Sequence, residues 1–152
     1  MLITKSGAIE IVQITDIHLT ADENSHLKGV NTAENLTRVL GEVKHTSYER
    51  LIVTGDISED SSSASYNLFL NLLKQNNISS VVCLGGNHDN ISVMNQILNP
   101  FNLPKVFLKG NWLFICLNTT LSGKDEGEIT AKDIKMLEEL LSIHNSSYVV
   151  LF

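Results

Sequence analysis

The stretch Leu51-Ile52-Val53-Thr54-Gly55-Asp56 decides the fold, because an apolar, β-branched run ends there in a glycine and an acid. Two similar transitions occur elsewhere in the chain. Residues 11–14 lead into Thr15-Asp16-Ile17-His18, and residues 81–84 lead into Gly86-Asn87-His88-Asp89. Short apolar runs bounded by polar residues and glycine are typical of buried parallel strands. Since functional groups gather at the carboxyl ends of such strands, we expect the three polar strings to share one edge of a sheet.

Helical patterns separate the predicted strands, which cover residues 9–14, 51–54 and 80–84, with a polar loop over residues 15–30. Asn31 can cap a first helix, with Glu34 at its third position as in a capping box. A serine at 61–63 can cap a second helix that continues through Asn76, and a short third helix covers residues 91–98. The order β-α-β-α-β predicts an α/β fold with a parallel core.

The pattern changes in the last third of the chain. Two apolar runs, residues 106–108 and 112–118, flank Lys109-Gly110-Asn111 and predict a tight hairpin. Thr130 and Asp133 then open a further helix, and residues 148–152 form a last strand. These elements predict the start of a second, incomplete sheet beside the parallel core.

Composition narrows the class of protein. A chain of 152 residues with 43% hydrophobic residues is long enough for one domain with its own core. The formal net charge of -6 argues against binding to a nucleic-acid backbone. No basic, apolar leader or membrane-length apolar run is evident, so we expect a cytoplasmic protein without membrane contact. Both cysteines, Cys83 and Cys116, fall in predicted strands and are expected to be reduced core thiols.

The polar strings carry the side chains of a metal site. Asp16 and His18 are separated by one residue, and such side chains point the same way in an extended segment, so both can face one cation. The two oxygens of Asp56 can bridge two cations, and Asn87 offers an amide oxygen to the second. His88 can donate a proton or a hydrogen bond. Mixed oxygen and imidazole ligands suit manganese, iron or zinc.

Two such ions about 3.5–4 Å apart would clamp a phosphoryl group and generate a hydroxide for in-line attack. Each string alone has a simpler explanation, since an acid after a strand often only caps the next helix. The string Gly86-Asn87-His88-Asp89 is the most specific, because asparagine, histidine and aspartate together serve packing poorly. Three strings at successive strand ends favour a functional site.

The three strings resemble the motifs of the calcineurin-like metallophosphoesterase superfamily, which run D-x-H, G-D, G-N-H-D, a lone H and G-H-x-H. Within it, the chain is most similar to bacterial class III cyclic-nucleotide phosphodiesterases. That similarity lies in Gln13-Ile14-Thr15-Asp16-Ile17-His18-Leu19, Gly29-Val30-Asn31-Thr32, Thr54-Gly55-Asp56-Ile57-Ser58-Glu59-Asp60, Ala64-Ser65-Tyr66 and Gly127-Glu128-Ile129. The resemblance implies a hydrolase that cleaves phosphodiesters, with 3',5'-cyclic nucleotides such as cyclic AMP favoured, by a metal-bound hydroxide at a binuclear site.

The resemblance also implies residue roles. Asp16 and His18 would hold the first metal ion, Asp56 would bridge both and take part in catalysis, and Asn87 would hold the second. His88 would assist the transition state or the leaving group. The family's remaining histidine ligands have no match, because the only histidine after His88 is His144, which precedes the last strand. We therefore expect an incomplete second metal site and a domain over residues 1–152 that is cut short.

Three hypotheses follow. The first is an active phosphodiesterase with a small phosphodiester substrate, phosphomonoesters being the alternative class. The second is a truncated family member that binds metal weakly and catalyses little. The third is an interaction module, in which exposed apolar residues at 112–117 and 148–152 pair with a second copy to give a homodimer.

Overall fold

The central sheet has three parallel strands. We describe it from a computed structural model, which covers residues 8–121 and 123–152. In their order across the sheet, the strands are β1 (Ile11–Ile14), β4 (Arg50–Thr54) and β5 (Val81–Leu84). Leu51 lies beside Val12 on one side and beside Val81 on the other. The predicted α/β fold with a parallel core is confirmed, with strand bounds that differ from the predicted ones by one or two residues.

Three helices alternate with these strands, as predicted: α1 (Thr32–Val43), α2 (Ser63–Gln75) and α3 (Ile91–Leu98). Each begins at a side chain that accepts a hydrogen bond from a backbone N–H of its first turn. The pairs are Asn31 with Glu34, Ser62 with Ser65, and Asn90 with Val93. These caps satisfy donors that the helix cannot pair internally, so the sequence sets where each helix starts.

The segment predicted as a polar loop over residues 15–30 contains a short antiparallel pair, β2 (His26–Leu27) and β3 (Val30–Asn31). Lys28 and Gly29 connect the two strands, both with positive φ, at 51° and 84°. Strands of two residues are too short to show an alternating pattern, which explains why the sequence did not indicate them.

A second sheet has the order β6-β7-β8, from β6 (Val106–Lys109), β7 (Trp112–Ile115) and β8 (Tyr148–Leu151). The predicted hairpin is confirmed, since β6 and β7 are antiparallel, whereas β8 joins β7 in parallel. Between β7 and β8 lies α4 (Ala131–Ile143), which opens with a complete capping box of Thr130 and Asp133.

The strands β4 and β5 of the central sheet are buried on both faces. Leu51 and Val53 point into a core shared with α1, α2 and α3, whereas Ile52 points into a core shared with Phe107 and Phe114 of the second sheet. Alternate side chains of β4 thus pack into two different hydrophobic cores. The sheet is therefore a rigid support for whatever its strand ends present.

Other faces of the chain remain exposed. No residue of α4 is buried, and Tyr148 and Leu151 of β8 are 63% and 55% exposed. Val39, predicted on the apolar face of α1, is also exposed, unlike its neighbours Leu36 and Leu40. Among the described residues, no helix combines the length and apolarity needed to cross a bilayer.

The two cysteines are free and buried, in agreement with the prediction. Burial raises the pKa of the Cys83 thiol to about 12 and that of the Cys116 thiol to about 11. Both side chains therefore act as small apolar groups in the core.

Candidate metal centre

The loops after β1 and β4 are joined by backbone hydrogen bonds that continue the parallel pairing beyond the strands. The N–H of His18 donates to the carbonyl of Asp56 at 2.8 Å, and the N–H of Leu19 donates to the carbonyl of Ile57 at 2.9 Å. Two of the predicted site residues, His18 and Asp56, are therefore held side by side by main-chain atoms rather than by a contact between their side chains.

The backbone at these positions is unusual. Asp16, His18 and Asp56 have φ values of 53°, 51° and 49°, and they make up half of the six non-glycine residues with positive φ in the described ranges. Residues other than glycine rarely adopt this backbone conformation, and those that do are concentrated at functional sites. We expected the side chains of Asp16 and His18 to point the same way because the segment would be extended. That reason is wrong, since the backbone at both residues is in the left-handed region.

The side chains of Asp16, His18 and Asp56 nevertheless converge. The Nε2 atom of His18 lies 3.8 Å from Asp16 Oδ1 and 3.7 Å from Asp56 Oδ2. These separations are too long for hydrogen bonds. They match the separation expected between two ligand atoms that each lie about 2.1 Å from the same cation. One imidazole nitrogen and two carboxylate oxygens therefore fit a transition-metal ion.

Glu59 lies behind both histidines and was not singled out from the sequence. Its Oε2 atom is 2.7 Å from Nδ1 of His18 and 3.2 Å from Nδ1 of His88. A carboxylate on Nδ1 fixes the tautomer of an imidazole and leaves Nε2 free as a ligand or proton donor. The two rings meet edge to face, with centroids 5.0 Å apart. The only indication in the sequence was the position of an acid three residues after Asp56.

His88 and Asp56 are in direct contact across the site. Oδ1 of Asp56 accepts the backbone N–H of His88 at 3.1 Å, which leaves Oδ2 facing His18. Gly86 allows this approach, because a Cβ atom at that position would collide with Oδ1 of Asp56. The loop after β5 thus depends on a residue without a side chain where it passes Asp56.

Asn87 lies on the same loop, between Gly86 and His88. Its Nδ2 atom donates to Oδ1 of Asp125 at 3.2 Å, and its side chain is exposed. The structure thus places all five predicted site residues on the loops after β1, β4 and β5, and it adds Glu59 and Asp125 as contacts that the sequence did not indicate.

Asp89 has a different environment from its neighbours in the Gly86-Asn87-His88-Asp89 string. It is 9% exposed, and its carboxylate accepts hydrogen bonds from the N–H groups of Ile57, Ser58 and Gly86 and from the Tyr66 hydroxyl. Burial and the Asp89 carboxylate raise the pKa of Tyr66 well above its usual value. Asp89 joins two strand-end loops to α2, so this residue of the string has a structural role.

Replacing Asp89 with asparagine is expected to destabilise the fold by about 3 kcal/mol, because one amide nitrogen would face two donors. Chemical denaturation measures this loss. Asp22→Asn is the matched control, since Asp22 lies on an exposed loop and its Oδ1 accepts the N–H of Asn24. Equal stability of the two variants would contradict the structural role of Asp89.

The Asp60 carboxylate is held by backbone hydrogen bonds, unlike that of a free surface acid. Burial opposes its ionisation, but the N–H groups of Ala21 and Ser62 bind the carboxylate and lower the pKa of Asp60 to about 2. Its contacts connect the loop after β1 to the start of α2. Asp60 therefore supports the loops of the site rather than facing it.

Comparison with known proteins agrees with this geometry. The model of the calcineurin-like phosphoesterase family matches residues 9–148, which include the central sheet, β6, β7 and all the residues placed at the strand ends. The chain belongs to the calcineurin-like phosphoesterase family. The resemblance drawn from the three polar strings is therefore confirmed at the level of the family.

Several curated proteins are similar to this calcineurin-like phosphoesterase. A 3',5'-cyclic adenosine monophosphate phosphodiesterase, CpdA, of Haemophilus influenzae is 33% identical over 147 residues, which cover 93% of this chain and 53% of that protein. A 3',5'-cyclic-nucleotide phosphodiesterase of Nostoc sp. is 35% identical over 139 residues, covering 89% and 52%. The CpdA of Escherichia coli is 32% identical over 139 residues, covering 88% and 50%. The chain thus spans about half the length of the relatives it matches.

Proposed function

We propose that this chain forms part of a metal-dependent phosphodiesterase site whose substrates are 3',5'-cyclic nucleotides. One observation carries the proposal: Nε2 of His18 faces Asp16 Oδ1 and Asp56 Oδ2 without hydrogen-bonding either. The names of the relatives, which are cyclic-nucleotide phosphodiesterases, support the substrate class.

The ligands divide between two cations of the manganese, iron or zinc class. Asp16, His18 and Asp56 would hold the first, and Asp56 with the Asn87 amide oxygen would hold the second. When bound, such cations polarise phosphoryl oxygens and lower the pKa of water. Three carboxylates (Asp16, Asp56 and Glu59) lie close to two imidazoles (His18 and His88). The carboxylates outnumber the imidazoles, and this excess of negative charge favours cations.

His88 is positioned to act on the substrate rather than on a cation. Its Nδ1 lies 3.2 Å from Oε2 of Glu59, and its side chain is 38% exposed, so Nε2 is available to a substrate. An imidazole so oriented can donate a hydrogen bond to a phosphoryl oxygen or a proton to the leaving alkoxide. The backbone N–H of His88 keeps Asp56 in place meanwhile.

A cavity of about 360 Å³ beside Asp16 supports a substrate with an organic part. Apolar side chains from β1 and α1 line it, together with the polar residues Thr32 and Asn35. Pockets of this volume with a few polar groups are typical of sites for small organic ligands. The cavity meets the site at Asp16, and we place the organic part of a diester substrate there.

A second candidate function is a metal-binding or dimerising module with little catalysis. It is favoured by the exposed apolar residues of β8, above all Tyr148 and Leu151, and of α4, above all Ile143. An edge strand with such side chains can pair with a second copy. Sedimentation of the purified chain distinguishes a monomer from a dimer. A monomer at all concentrations would contradict the dimerising module.

The experiment is hydrolysis of bis(p-nitrophenyl) phosphate, p-nitrophenyl phosphate and cyclic AMP by the purified chain with Mn²⁺. We expect chelator-sensitive cleavage of the two diesters in preference to the monoester. A chelator titration and a His88→Asn variant serve as controls. Absence of turnover from a folded chain that binds Mn²⁺ would show that this chain alone is not a phosphodiesterase, and it would favour the metal-binding module.

A further inference from the structure

A carboxylate outside the predicted ligand set fixes the orientation of Asn87. Oδ1 of Asp125 is 3.2 Å from Nδ2 of Asn87. A carboxylate can only accept hydrogen bonds, whereas an amide has one accepting and one donating end. Contact with Asp125 therefore selects the rotamer in which the Asn87 nitrogen faces Asp125 and the Asn87 oxygen faces away.

Asp125 is held in place by its own loop. Thr120 donates from its hydroxyl to the carbonyl of Gly85, and Thr120 also forms a bridge with Gly127. The N–H of Glu128 donates to the carbonyl of Thr119 at 2.8 Å. The residues on both sides of Asp125 are thus fastened to each other and to the residue that precedes Gly86.

The loop encloses a small cavity with the strand ends. The cavity has a volume of about 210 Å³, and its walls include Gly55, Gly86 and Asn87 on one side and Thr120 and Asp125 on the other. Asp125 thus approaches the strand ends from a segment 38 residues away from Asn87 in sequence. Neither residue is close to the other in the chain, so the contact is a product of the fold.

We propose that Asp125 is a positioning residue that presents the Asn87 oxygen to a cation. The inference rests on the proposed function, because it assumes that Asn87 binds the second cation. An amide that is free to flip offers nitrogen to the cation part of the time, and nitrogen of an amide is not a ligand. Partners that orient a ligand typically contribute about 10–100-fold to metal affinity.

The test compares Asp125→Ala with Glu126→Ala. Each variant removes one carboxylate from the same exposed loop, but Asp125 contacts Asn87 and Glu126 makes no hydrogen bond to it. Isothermal titration with Mn²⁺ should show an affinity about 10–100-fold lower for Asp125→Ala and less than about 2-fold lower for Glu126→Ala. In an Asn87→Ala background, Asp125→Ala should have no further effect. Equal losses in the two alanine variants, or additive losses with Asn87→Ala, would overturn the proposal.

A second readout needs no metal. The side-chain amide resonances of Asn87 in a ¹H–¹⁵N spectrum should shift in Asp125→Ala, stay in place in Glu126→Ala and return toward wild-type values in Asp125→Glu. Unchanged amide resonances in Asp125→Ala would reject the positioning role. A wild-type chain that binds no Mn²⁺ would reject the proposed metal site instead, so the two failures are distinguishable.

Discussion

Replacing Asp56 with asparagine is expected to weaken Mn²⁺ binding by at least about 100-fold and to reduce chelator-sensitive phosphodiester hydrolysis to background. Residues that only orient a ligand contribute about 10–100-fold to metal affinity, and a bridging carboxylate should contribute no less. Asp56 is 12% exposed in its side chain and faces His18 through Oδ2, which is the atom that the substitution replaces with nitrogen. Isothermal titration and a hydrolysis assay measure the two effects.

The same substitution should leave the fold intact. Oδ1 of Asp56 accepts the N–H of His88, and asparagine keeps this oxygen. Asp22→Asn is the matched control, because Oδ1 of Asp22 likewise accepts a backbone N–H, from Asn24, on an exposed loop away from the cluster. Wild-type Mn²⁺ affinity in Asp56→Asn would contradict the role of Asp56 at the site.

Gly86→Ala is expected to destabilise the chain by about 3 kcal/mol, at the upper end of what overpacking usually costs. The new Cβ atom would lie 2.6 Å from the backbone nitrogen of Asp56 and would collide with its carboxylate. Neither group can move freely, because the loop of Asp56 is hydrogen-bonded to that of His18. Chemical denaturation measures the stability, and the Mn²⁺ affinity should fall with it.

Gly41→Ala provides the opposite expectation. Gly41 lies inside α1, and nothing lies within 4 Å of the position that its Cβ atom would occupy. Alanine there should stabilise the chain by about 0.5–1 kcal/mol, since it favours the helix. If both glycine variants shift the stability in the same direction by similar amounts, this would contradict the close approach of Gly86 to Asp56.

The sequence predicts the scaffold well because each element has a local cause. The apolar runs of β1, β4 and β5 and the caps at Asn31, Ser62 and Thr130 are properties of neighbouring residues. The strands β2 and β3 have no such pattern, because two residues show no period. Exposure of α4 is likewise not a local property, since it depends on which elements pack against the helix.

The candidate site also has features that the sequence predicts and features that it does not. The meeting of Asp16, His18 and Asp56 follows from their positions after parallel strands, although their left-handed backbone does not. The structural role of Asp89 could not be predicted, because the sequence does not show that four donors converge on its carboxylate. Glu59 was missed for a related reason, since its contacts with the two histidines depend on loop conformation.

The most direct test of the cation site is a ¹H–¹⁵N spectrum of the chain titrated with Mn²⁺, whose paramagnetism broadens the signals of nearby nuclei. We expect broadening at substoichiometric Mn²⁺ to begin at residues 16–18, 55–59 and 86–88, before the exposed acids of α4 such as Glu138 and Glu139 are affected. Broadening that begins at α4, or that spreads evenly over all exposed acids, would contradict a cation site at the strand ends.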